Sequence, residues 1–471
     1  VTCAVLTSAA ATAAIFTNDL VISPSNKLYE GQDIVISNCT VAIDGVHTFA
    51  SVEVGPDGVL THSQSPTGTL PTTVLVTNEV HVLTATNAEP TVQTPADISA
   101  LTVRDESGMV FYTNGIDYYV VFTNEVAMIV LLPGSSITDG STNLVDYPAS
   151  GPGVAAGVQL MITGDVDVTA GGQINADAKG FPRATGPGGG IPTGSPSAGT
   201  GGSYGGIGGG TNAGASGIVY GDFVMPEDLG SGGGNGAGYT SGGTGGGRIS
   251  LDIAGALRVA GRVSANGGNS PGNRGGGGSG GSIRLKAQTI GGAGAITAKG
   301  GSGDPGQGGG GGGGRISMER AVDLFVGGAE ASGGSGLQPG GPGSIYSRAP
   351  AASTGTLVFD NKGISGSTAI LTGPVCDLKV MGGTVVASHK MSAGLSNLLI
   401  GSNAWVNVTN ELKVATNAII EFGGGINVDG MGYPVNQGPG AGRVNSYMYV
   451  PDGASSGAGG GHGGLGGEAG Q

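Results

Sequence analysis

Histidines and carboxylates are where this chain would carry chemistry, and their spacing argues against a catalytic centre. His47, His62, His81, His389 and His462 form no HExxH element and no pair at metal-ligand spacing. His462 stands where an earlier copy of the same local pattern has Tyr204, so it reads as a packing residue. Asp165 and Asp167 alternate along a strand-like segment, as do Asn175 with Asp177 and Asn427 with Asp429. Hard oxygen donors at such positions suit calcium. The competing reading of each Asn-x-Asp pair is an Asx turn at a strand end, and it fits better. Asp165 and Asp167 are replaced by Asn417 and Ile419 in the second copy, and the GGxGxD calcium nonapeptide is absent.

Other catalytic signatures fail too. The 19 Lys and Arg residues are scattered, and Arg248, Arg284 and Arg315 sit at or beside the starts of apolar segments. That placement predicts strand-end solvation or stacking rather than a cleft. No GxSxG element lies in a strand-to-helix context, and GxGxxG matches carry no weight at this glycine content. The expectation is a non-enzymatic protein without a cofactor. A polysaccharide-active β-helix enzyme is the third-ranked reading.

The elements that position these residues are repeats. Leu160–Pro182, LMITGDVDVTAGGQINADAKGFP, recurs without a gap as Leu412–Pro434, LKVATNAIIEFGGGINVDGMGYP. Asn-x-Asp is the polar pair that both copies keep. Gly-Pro-Gly follows each copy, at Gly186–Gly188 and Gly438–Gly440, and then an aromatic-Gly-Gly signature at Tyr204 and His462. A weaker match relates Ser51–Thr61 to Asn397–Asn407, so the repeat unit begins upstream of the motif. The second copy breaks off at Gln471, which predicts either a segment of something longer or a subunit completed by its neighbour.

Between these copies lies a glycine-rich array from about Gly186 to Gly343. Its apolar islands are anchored by Ile249, Ile283, Ile316 and Ile345, at spacings of 34, 33 and 29 residues. Ile249/Leu251/Ile253 and Ile283/Leu285 alternate with the strand period. No island buries its apolar face alone, but stacked islands do, which argues for a parallel β-solenoid-like fold. The runs Gly275–Gly278 and Gly308–Gly314 are the connections. They are either flexible excursions or polyproline-II glycine helices lying side by side; the fixed pattern around them favours order.

Composition sets the outer limits. Of 471 residues 102 are glycine, and only 11% are charged. The net charge of −14, with no basic stripe, argues against a nucleic-acid partner. No apolar run is long enough for a membrane span. Ala4–Phe16 reads as a mature N-terminus left by signal removal or as an ordinary first strand. Cys3 and Cys39 either pair, leaving Cys376 free, or all three are small buried hydrophobes. Asn38-Cys39-Thr40 and Asn407-Val408-Thr409 are glycosylation triplets.

Residues 70–147 differ in texture, being poor in glycine and rich in Val, Thr and Tyr. Their core is Phe111-Tyr-Thr-Asn-Gly-Ile-Asp-Tyr-Tyr119, then Val126–Leu132, then Pro133-Gly134-Ser-Ser-Ile-Thr-Asp139-Gly140. This block resembles a small β-domain inserted in large bacterial and phage surface proteins, and it is read as an immunoglobulin-like β-sandwich. The islands, with their Gly-Gly-Ser/Arg-Ile-x-Leu and Ser/Thr-Ala-x-Gly-Gly texture, resemble glycine-rich bacterial surface proteins of adhesin or autotransporter-passenger type. That resemblance implies a secreted, elongated, non-enzymatic scaffold at the cell surface.

The expected fold is therefore all-β: glycine-rich β-solenoid-like repeats with an inserted immunoglobulin-like β-sandwich. Residues 1–66 form an N-terminal solenoid-like cap, 67–150 the sandwich, 151–350 the glycine-rich array, and 351–471 a second, truncated unit. The expected function is a structural filament, fibre or surface-layer subunit that joins head to tail with its own kind. The alternative is an adhesin or glycan-binding segment, with Tyr112, Tyr118 and Tyr119 as its candidate contacts.

Overall fold

The computed structural model describes residues 13–24, 26–63, 74–90, 101–123, 126–149, 157–194, 197–212, 217–236, 241–370, 373–388, 394–408, 411–429 and 439. Among them the regular structure is entirely β-strand, with no helix. The protein is all-β.

The four isoleucine anchors meet in register. Ile249 pairs with Ile283, Ile283 with Ile316, and Ile316 with Ile345, all between parallel strands. Upstream, Val158–Ile162 continues the ladder, pairing with Arg248–Ile253 on one side and Gly45–Phe49 on the other. The pairing across residues 64–156 joins the N-terminal strands and the glycine-rich array into one core. A second parallel sheet runs Leu20–Ile22, Thr40–Ile43, Val59–Thr61, Gln173–Asn175, Arg262–Ser264, Ala295–Thr297, Gly328–Glu330. Ile34, Val52, Val166, Leu257 and Ile290 from the large sheet share a core with Val41, Leu60, Ile174, Val263 and Ile296 from the second. Each such side chain, fully removed from water, contributes about 1.5–3 kcal/mol, so the stacked isoleucine and valine columns carry the fold.

Strand direction reverses once. Ser344–Arg348 pairs antiparallel with Gly355–Asp360. Residues 349–354 are too few for the crossover that a parallel neighbour needs. Beyond the reversal Gly355–Asp360, Cys376–Met381, Leu395–Ile400 and Val414–Ile420 stack in parallel. Gly366–Ile370, Thr384–Ser388, Trp405–Val408 and Gly425–Asn427 do the same alongside. This unit has its own core, including Leu357, Leu378, Leu398 and Val406.

The glycine runs are ordered and buried. Gly276 and Ser279 donate to the carbonyls of Gly234 and Ser231, Gly277 and Gly280 to those of Gly309 and Gly312, and Gly278 and Gly281 to those of Gly268 and Ala265. Every third residue addresses the same neighbour, which is the periodicity of a polyproline-II helix. Gly309–Gly314 repeats the scheme toward Gly199 and Gly202, Gln338 and Gly341, and Gly301 and Ala298. Of the two readings open in the sequence, packed glycine helices hold.

Sterics explain the residue choice. A Cβ on Gly277 would overlap the carbonyl of Gly301, and one on Gly311 that of Gly278. Ordering a glycine costs about 0.5–1 kcal/mol more than alanine, and one net hydrogen bond returns about 0.5–1.5 kcal/mol. The lattice therefore holds where every amide finds a carbonyl.

The inserted block folds as two antiparallel sheets. One has the order Phe111–Tyr112, Thr102–Asp105, Ser141–Ala149, Val74–Leu83; the other has Tyr118–Thr123, Val126–Leu131, Glu89–Pro90. Leu83, Leu101, Val103, Tyr118, Ile129, Ile137, Val145 and Tyr147 fill one core between them.

Candidate functional surfaces

Asn175 accepts the amide of Asp177 at 2.8 Å, and Asn427 that of Asp429 at 2.7 Å. Both pairs are Asx turns. Asp177 then spends one carboxylate oxygen on the Asn266 amide at 2.7 Å and the other on the Arg262 guanidinium at 3.1 Å. Asp165 and Asp167 bind Arg258 at 2.9 and 3.0 Å, and Asp165 also accepts the Ala256 amide. The Ala256 amide and Arg258 hold the Asp165 carboxyl below its usual range despite partial burial. These carboxylates fasten one strand layer to the next. No group of three or more His, Cys, Asp or Glu placed to hold a metal occurs among the described residues.

The other singled-out residues are dispersed. His47 is buried against Glu30 at 2.8 Å. His62 donates from Nδ1 to the Ser63 carbonyl at 2.8 Å, and burial lowers its pKa to about 4. His81 lies inside the sandwich beside Glu79 at 2.6 Å. His389 and His462 fall outside the described residues, as do Cys3, Gly186–Gly188's counterpart Gly438 and Gly440, and the aromatic-Gly-Gly signature of the second copy. Cys39 and Cys376 are buried free thiols, and burial raises the Cys376 thiol to about 11. Tyr118 belongs to the sandwich core, with its hydroxyl on the Leu101 carbonyl at 3.1 Å, so it is no surface contact. Tyr112 packs against that core, and Tyr119 is exposed.

Of strand-end solvation and stacking, the two readings open for Arg248, Arg284 and Arg315, Arg315 follows the second and Arg248 neither. Arg315 and Arg248 are buried. Arg315 donates through Nε and Nη2 to the Tyr220 carbonyl at 3.0 and 2.7 Å, through Nη1 to Ser344 at 3.1 Å, and lies 5.3 Å from the Tyr204 ring centre. Tyr204 shares a hydrogen bond with Ser282 at 2.7 Å, and Tyr220 donates to the Leu229 carbonyl at 2.6 Å. Burial pushes the Asp228 carboxyl above its ordinary range, against the pull of Arg315 and Arg248. This node locks the 204–229 excursion onto the strand layer. The aromatic signature around Tyr204 marked it in the sequence, but its partners lie far along the chain.

The surface that stands out is the second copy of the duplicated motif. In the first copy, Val166–Val168 is paired on both sides, by Ser51–Val54 and Ala256–Val259. In the second, Val414–Ile420 pairs with Leu395–Ile400 and Gly425–Asn427 with Trp405–Val408; no other strand pairs with either among the described residues. Val168 and Ile174 are 1% and 0% exposed, whereas their equivalents Ile420 and Ile426 are 47% and 40% exposed. Phe422, in the turn between, is 99% exposed. At the other end Ala14–Phe16 and Leu20–Ile22 pair only with Asp33–Ile36 and Thr40–Ile43 among the described residues. The turn between them forms a hollow of about 360 Å³ with Phe16, Leu20 and Tyr29 in its wall.

Comparison of the chain with protein-family models, with curated proteins and with solved structures finds no match. Among the described residues no helix is long and apolar enough to cross a membrane.

Proposed function

We propose that this chain is a secreted, non-enzymatic structural subunit: a glycine-rich β-solenoid, carrying an immunoglobulin-like spacer, that joins end to end with copies of itself at the cell surface. One observation carries the reading: a motif paired on both sides in its first copy presents, among the described residues, apolar strands paired on one side only in its second. Exposed sheet edges are templates for further pairing. Each end offers a strand-turn-strand edge, one with the protruding Phe422 and the other with the hollow beside Tyr29. Such a heterologous contact does not close on itself and builds a filament.

Electron microscopy and sedimentation of the purified chain test this. Filaments or a concentration-dependent mass are expected, and Ile420→Lys with Phe422→Glu returns monomers with unchanged circular dichroism. Monomers at all concentrations overturn it.

A second reading, an adhesin module, is favoured by the apolar tip of the sandwich, where Met109, Phe111 and Ile116 are each more than half exposed. It predicts saturable binding to cells or carbohydrate that falls in Phe111→Ala and Tyr119→Ala.

A further inference from the structure

Strands Arg248–Ile253, Ser282–Gly292, Arg315–Phe325 and Ser344–Arg348 turn one side chain row outward at each register step. One row runs Asp252, Lys286, Glu319, Arg348. Its charges alternate and neutralise in pairs, Lys286 with Asp252 at 3.0 Å and Arg348 with Glu319 at 2.5 Å. The adjacent row runs Ser250, Arg284, Ser317, Tyr346. Arg284 is its single charge, and it makes no hydrogen bond or ion pair among the described residues. Beside it the Nε of Arg348 is buried without a partner.

The segment carrying Val224 and Met225 crosses over this face, tied down where Ser317 donates to the Val224 carbonyl at 2.6 Å. Between segment and strands lies a groove of about 190 Å³. Arg284, Lys286, Arg348 and Tyr346 line it from the strands, with Glu319 held by Arg348, and Val224 and Met225 line it from the segment. In a chain of net charge −14 a half-buried guanidinium without a counter-ion is an unusual choice. Water meets its accessible N–H groups, and a bound oxyanion would replace that water with a charge-assisted, forked pair.

We infer that this groove binds a single sugar residue bearing a carboxylate, the acidic unit of a glycan. The volume lies below the roughly 300–1,000 Å³ of drug-sized sites and suits one ring. Arg284 takes the carboxylate through its forked N–H groups, and Met225, Val224 and Tyr346 cover the ring's apolar face. A sulfated sugar presents related chemistry, so the test separates the two.

The full chain is titrated with glucuronic acid, glucose 6-sulfate, glucose and acetate by calorimetry or ligand-observed NMR. Glucuronic acid is expected to bind most tightly, with Arg284→Ala weakening it about ten- to hundredfold, the worth of a charged hydrogen bond. Met225→Trp, which fills the groove without touching a charge, is expected to abolish binding with an unchanged melting temperature. Glucose or acetate binding as tightly as glucuronic acid, stronger binding of the sulfate, no binding of glucuronic acid, or an unaffected Arg284→Ala variant overturns the inference. Particle mass, which reads end-to-end assembly, is independent of every arm.

Discussion

At the residue scale, the glycines divide into those that have no room for a side chain and those that merely turn. Gly277 and Gly306 make the comparison. A Cβ on Gly277 falls on the Gly301 carbonyl, whereas one on Gly306 meets only the Asp304 carboxylate at 3.6 Å. Gly277→Ala is expected to destabilise by about 1–3 kcal/mol, the usual cost of overpacking, and Gly306→Ala by less than about 0.5 kcal/mol. Denaturant unfolding of both variants checks this, and equal midpoints would refute the packed lattice. His62 supplies a pH test. Its folded pKa, about 4, lies below the ordinary 6.5 because burial disfavours the charged ring. The unfolded chain therefore binds the extra proton, and stability complete above pH 6.5 declines as pH falls toward 4. The full difference amounts to about 3 kcal/mol. Thermal melts of wild type and His62→Gln across that window should converge at the acid end. The Asn-x-Asp pairs were legible as turns from sequence. The burial of Arg315 was not, because Tyr220 and Ser344, which satisfy it, are not its neighbours in the chain.

At the element scale, Asp117 shows how the sandwich loops are pinned. Its carboxylate accepts Ser136 Oγ at 2.5 Å, the Thr113 amide at 2.8 Å and the Ser136 amide at 2.9 Å. These bonds, the Ser136 hydroxyl foremost, hold the carboxyl below its usual range. A depressed folded pKa means stability that is whole above the unfolded value, about 4, and is lost as pH falls through the folded one. Asp117→Asn is expected to weaken the sandwich near neutrality and to flatten its acid limb, read by tyrosine fluorescence. An acid limb unchanged from wild type would rule out this role. Asp117 belongs to the run Phe111–Tyr119 singled out in the sequence, and Asp139, which caps the Ala85 amide at 2.7 Å, to the run Pro133–Gly140. Both runs were visible in the sequence; the role of their aspartates as loop clamps needed the distances. Strand placement was more legible still. In Ile249/Leu251/Ile253 and Ile283/Leu285 the alternating residues are buried and those between them only half-buried, because inward and outward positions on a strand differ so plainly in polarity.

For the molecule as a whole, the inserted block is a guest. Gly45–Phe49 and Val158–Ile162 pair directly across it. The second unit makes the equivalent step from Val408 to Val414 with five residues. Replacing residues 67–150 by a short Gly/Ser linker is expected to leave the parallel array folded. Hydrogen exchange would show unchanged protection at Gly277–Gly281, and loss of that protection would make the block integral. The reversal at Gly355–Asp360 constrains the end-to-end contact proposed above. The outermost described strands, Ala14–Phe16 and Val414–Ile420, run in opposite directions, so in the proposed contact copies joined by parallel pairing would be related by about half a turn before strand twist is added. Within the sequence alone lay the all-β character, the four stacking isoleucines and the duplicated motif, since these are periodicities of residue type along the chain. Tertiary structure decided the rest: that glycine runs pack as helices, that Arg315 is buried, that direction flips after Arg348, and that the two copies differ in exposure. Each depends on which distant backbone comes close enough to pair, and local composition does not encode that.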